Sequence, residues 1–148
     1  MYIYIRSMSE SQSRIYDKIA DKAVSIDKHI IKLMLYPSAP ECNHWKSEIY
    51  SFLNNVQKLK GSNKFPKAKL ILKALTISND MIDKLAWQVQ CEEESLIPIH
   101  IEVDVLIRTI EAYQSWLASM LSSDGLVVPK DVYSKLDELI SEGGQSCG

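Results

Sequence analysis

The sequence predicts an all-α, single-domain bundle of five to six helices, with long members near residues 9–35 and 96–122. Three observations carry this. From Ile99 to Met120, apolar residues fall at Ile99, Val103, Leu106, Ile110, Tyr113, Leu117 and Met120. Steps of four and three alternate strictly, which sets seven large side chains in one seam of an α-helix. A second seam runs through Tyr16, Ile19, Ala23, Ile26, Ile30 and Leu33 at the same spacing. Finally, Pro and Gly fall where such seams stop, as helix punctuation does. Amphipathic helices of this length need partners along their apolar face, so the seams are expected to bury one another.

Residues 1–8 read as a flexible arm or short strand, because Met1–Ile5 alternates Tyr and Ile. The first helix is expected from about Ser9 to Leu35, capped by Ser9 or Ser11 and ended by Pro37 and Pro40. A second begins near Asn43, carries Trp45, Ile49, Phe52, Val56 and Leu59, and stops at Gly61. Pro66 suits the first turn of a third, with Leu70, Ile71 and Leu75. A fourth starts at Ser78 or Asn79 and uses Ile82, Leu85 and Val89.

Glu92, Glu93 and Glu94 follow it, and acids oppose the dipole at a helix C-terminus. They are better placed before the next helix. That helix is expected from Leu96 to Ser122, with Ser95 as N-cap and Pro98 in the first turn, where a missing N–H costs nothing. The stretch Ile97–Val105 also alternates apolar and polar residues. The alternative is therefore a two-stranded pairing of Tyr2–Ile5 with Ile97–Val103. Gly125 closes the long helix, and Pro129 opens a short last one with Val132, Leu136, Leu139 and Ile140. The helical domain is set at 9–142, and 143–148 reads as a disordered tail. The first, second and fifth seams together are expected to form the core, with successive helices antiparallel. Trp45, Trp87 and Trp116 lie on or beside seams and are assigned to it.

Composition narrows the class. At 148 residues the chain is long enough for a core without staples, and 46% apolar with 24% charged residues is ordinary for a globular protein. No apolar run approaches the roughly 20 residues that cross a bilayer. Cys42, Cys91 and Cys147 are odd in number and widely spaced, which suggests free thiols and a cytoplasmic setting.

The net charge of −2 conceals a polarised chain. Up to Leu75 there are thirteen basic and six acidic residues, or +7; from Thr76 there are four and thirteen, or −9. Lys58, Lys60, Lys64, Lys67, Lys69 and Lys73 lie in a stretch, Tyr50–Asn79, with no acid at all. Such a block suits a phosphate backbone or an acidic partner surface, with Phe65 and Asn63 able to stack on or bond to a base. Lysine outnumbers arginine, which favours the backbone over base edges. Glu92, Glu93 and Glu94 offer an acidic partner surface, and two such poles permit head-to-tail contact between copies.

Chemistry is less marked. Cys42 and His44 form the one close Cys/His pair, without the second pair a structural zinc site requires, so no metal or cofactor is expected. No nucleophile elbow, zinc-protease or phosphate-loop motif is present. An enzyme would need a site assembled from scattered residues such as Cys42, His44 and His100. The expected function is therefore a non-enzymatic adaptor or regulatory subunit that binds another macromolecule through its polarised surface. Nucleic-acid backbone is a candidate ligand of the lysine block. A self-associating or protein-binding bundle is the alternative, and neither a membrane nor a small-molecule substrate is expected.

Overall fold

The computed structural model describes residues 10–60, 68–122 and 128–144. Among them the chain forms six helices and no strand: α1 (Glu10–Leu35), α2 (Cys42–Lys60), α3 (Ala68–Leu75), α4 (Asn79–Glu92), α5 (Val103–Ser122) and α6 (Pro129–Gly144). The all-α bundle is thus the observed fold. The arm at Tyr2–Ile5, the cap at Ser9, Gly61, Pro66, Gly125 and the last four residues lie outside the described residues.

The helix ends follow local chemistry. Ser11 lies inside the first turn of α1 rather than capping it. At α2 the Trp45 N–H bonds to the Glu41 carbonyl at 3.0 Å, so the helix begins one residue before Asn43. Ser78 caps α4 as its residue type predicts, its hydroxyl accepting the Met81 N–H at 3.1 Å. Pro129 opens α6, a position that asks for no N–H, and the helix runs on through Gly143 to Gly144.

The expected start of the fifth helix needs correction. The long helix begins at Val103, not Leu96. Residues 97–102 are without helix, and the Ile99 N–H donates to the Leu35 carbonyl at 2.9 Å. That bond fills an acceptor left open at the C-terminus of α1, and it holds the segment outside a helix. Of the alternating stretch Ile97–Val105, residues 97–102 lie outside a helix but form no strand, and Val103–Val105 open α5.

The position of the acids also differs from expectation, since α4 ends on Glu92 itself and Glu93 is its C-cap. The unfavourable charge at this helix end is offset from α1. Lys28 Nζ bonds to Glu92 Oε2, and Lys32 Nζ lies 3.6 Å from Oε1.

The core is organised around α1, which touches all five other helices. Its seam is buried as expected, and so are Ile31, Leu35 and Met34 beside it. The second and fifth helices do not build the core directly against each other. The short α3 packs between α1 and α5, α2 packs on α1 and α6, and α5 on α3 and α6. Successive helices are accordingly not all neighbours, because α3 packs away from α2. Tyr113, Ile110 and Leu117 of α5 are fully buried, as are Val132 and Leu136 of α6. Trp45 joins the core and Trp116 packs against it, but Trp87 is 70% exposed on the outer face of α4. Its neighbours Leu85, Ala86 and Val89 take the inward positions, which leaves position 87 facing water.

Candidate functional site

The described members of the lysine block lie on two helices. Lys58 is exposed near the end of α2, while Lys69 and Lys73 are exposed on α3, one helical turn apart. Lys60 is the last residue of α2 and its side chain lies outside the described set, as do Lys64 and Lys67 entirely. Lys58 and Lys69 form no ion pair with a described residue. The other lysines of the basic half are largely spent inside the bundle. Lys28 and Lys32 hold Glu92, Lys46 reaches Asp137 of α6 at 2.7 Å, and Lys22 sits 5.3 Å from the centre of the Phe52 ring. The poles seen in sequence therefore neutralise one another in part across helix contacts.

The acidic set divides. Glu92 is engaged with α1, and the Lys28 hydrogen bond holds its carboxyl below the usual range. Glu93 is half-buried and Glu94 exposed.

The scattered residues weighed for catalysis do not converge. Cys42 is half-buried, its Sγ donating to the Tyr36 carbonyl at 3.2 Å. It lines a pocket of about 200 Å³ with Lys46 and Asp137, but burial pushes its thiol pKa up, opposite to what a nucleophilic thiolate requires. His44 pairs with Glu48 at 3.0 Å, and His100 pairs with Glu102 at 3.0 Å on an exposed stretch. Glu48 also meets His29 Nε2 at 3.4 Å, while His29 Nδ1 lies 2.6 Å from the Ser25 carbonyl. Burial lowers the His29 pKa, so this ring favours its neutral form. Among the described residues, no group of three or more His, Cys, Asp and Glu is arranged to hold a metal ion. No helix among them is long and apolar enough to cross a membrane.

The most unusual polar group escaped the sequence reading. Asp27 is 1% exposed in the middle of α1, and burial raises its pKa from 3.8 to about 8. The Gln114 amide, also buried, donates to Asp27 Oδ2 at 3.1 Å and to the Leu75 carbonyl at 3.0 Å. One side chain thereby ties α1, α3 and α5 together. A faint signal was available, because Asp27 lies four residues after Ala23 and four before Ile31, both buried. A neutral carboxyl and an amide satisfy each other here without a buried charge, the arrangement that low-dielectric surroundings favour. Tyr113 on the same helix as Gln114 keeps its hydroxyl buried without a hydrogen bond, and burial raises its pKa.

No protein-family model, curated protein or solved structure matches the chain.

Proposed function

We propose that the protein is a non-enzymatic helical subunit that binds another macromolecule through its unevenly charged surface, with the lysine block contacting a nucleic-acid backbone. The observation that carries this reading is the exposure of Lys58 and Lys69, which meet no carboxylate among the described residues, while Lys28, Lys32 and Lys46 are held by carboxylates of other helices. Cations left to solvent in this way are what a phosphate backbone recruits, through release of its counterions. Recognition would be weakly selective, since lysine supplies point charges rather than planar pairs of donors.

The test is fluorescence anisotropy of labelled single- and double-stranded oligonucleotides over a salt series. The logarithm of the affinity should fall linearly with the logarithm of salt. The double variant Lys69→Glu, Lys73→Glu should flatten that line by about two contacts' worth, a slope change of roughly 0.9 per phosphate on duplex DNA. Absence of binding at low salt ends the nucleic-acid reading. A second reading, a protein-binding or self-associating bundle, is favoured by the exposure of Trp87 at 70% and Ile97 at 92%. Large apolar side chains in water are characteristic of interaction surfaces when they adjoin further apolar area.

A further inference from the structure

At the end of the bundle where α1 stops, the turn to α2 and the segment after α4 run side by side. Tyr36, Pro37, Ala39 and Pro40 form one wall of a groove of about 290 Å³, and Leu96, Ile97 and Ile99 form the other. The bond from the Ile99 N–H to the Leu35 carbonyl fixes the two walls against each other. Ile97 forms a lip almost wholly in water at 92% exposure.

Two polar features accompany this apolar floor. The Tyr36 hydroxyl is buried with no hydrogen-bond partner, as is Glu41 Oε2 in the residue after Pro40. Carboxylates also flank the groove. Glu41 follows one wall, Glu93 acts electrostatically on Tyr36, and Glu94 is next in the chain. None of the three has an ion-pair partner among the described residues, in contrast to Glu92.

We infer that this groove binds a segment of a partner protein in which an apolar anchor is flanked by lysine or arginine. Charge complementarity selects the flanks, since the surrounding carboxylates attract cations and repel a phosphate backbone. Size selects the anchor, because the groove falls at the lower edge of the roughly 300–1,000 Å³ of pockets that enclose a small molecule. One or two side chains of a longer chain fill such a space, covering Ile97 as they enter. The inference rests on the protein-binding reading and gives it a surface and a partner chemistry. It is independent of the lysine block.

The experiment uses the full chain and fluorescein-labelled peptides with a Phe-Leu core, flanked either by lysines or by glutamates. The lysine-flanked peptide should bind with a Kd on the order of 10 μM at low salt and weaken as salt rises. The glutamate-flanked peptide should bind at least about tenfold more weakly, a difference of about 1.4 kcal/mol. Ile97→Asp, at an exposed position, and Glu93→Lys, whose charge suits a helix C-terminus, should each reduce affinity about tenfold while leaving the circular dichroism unchanged. Equal binding of the two peptides, no binding of the lysine-flanked one, or indifference to Ile97→Asp overturns the inference. Sedimentation supplies a further check. A dimer that Ile97→Asp dissolves would make a second copy the occupant and overturn the proposed partner. No oligonucleotide enters these assays, so their failure is separable from failure of the lysine reading.

Discussion

The two long helices carry the same seam, yet the bundle uses them differently. Off its seam, α5 meets water at Asp104, Arg108, Glu111 and Ser115. Off its seam, α1 continues into protein at Asp27, Ile31 and Met34. Periodicity reports that one face of a helix is apolar; it does not report how many neighbours that helix has. The difference lies in the number of neighbours, because α1 touches all five other helices, the short α3 and α4 among them. A central helix therefore tolerates a polar residue only if a partner is delivered to it, and Gln114 of α5 is that partner.

The largest expected effect that sharpens this contrast is the pH dependence of stability. Asp27 holds its proton in the folded state up to about pH 8, whereas the unfolded chain releases it near 3.8. Between these values the folded state binds more protons, so stability falls as pH rises, by about 1.4 kcal/mol per pH unit from this group, and levels off above 8. Denaturant unfolding from pH 4 to 9 should show that slope, and Asp27→Asn should remove it. No residue at the outer face of α5 should do the same.

Next in size are core truncations. Met34→Ala, off the seam of α1, should cost about 2–5 kcal/mol, as much as Leu117→Ala on the seam of α5. Ser115→Ala, off the seam of α5, should stay within about 0.5 kcal/mol. If Met34→Ala behaved like Ser115→Ala in urea midpoints, the central position assigned to α1 would be wrong. The smallest effect belongs to the charged contact between α1 and α4. Glu92→Gln should cost about 0.5–1 kcal/mol at low salt and less at high salt, because the groups remain partly exposed. Its carboxyl titrates below the ordinary range, so that contribution is present at neutral pH and vanishes as acid protonates it.

Much of this fold was legible in the residues. Every apolar position of the α1 seam from Tyr16 to Leu33 is buried, and Ser78 and Pro129 stand at the helix starts their chemistry suggests. What failed depended on partners distant in sequence. Pro98 fits a helix's first turn by local rules, yet the Leu35 carbonyl decides otherwise. Three consecutive acids disfavour a helix end until Lys28 and Lys32 arrive from α1. Trp87 has the residue type of a core position and the register of a surface one. As for the site, the sequence located the basic block but not the groove, whose walls are residues 60 positions apart that no pattern connects. Nor did it reveal Asp27, since a one-letter code does not distinguish a neutral carboxyl from a charged one.

The central position of α1 has a consequence for biosynthesis. It leaves the ribosome before all the helices that cover it, and its contacts with Gln114 and Glu92 await residues 87 and 64 positions later. Ile19, Ile26, Ile30, Ile31 and Met34 must pass that interval without their final neighbours. Since chains add on the order of 5–20 residues per second, the nascent helix presents this apolar surface for several seconds, a natural target for chaperones.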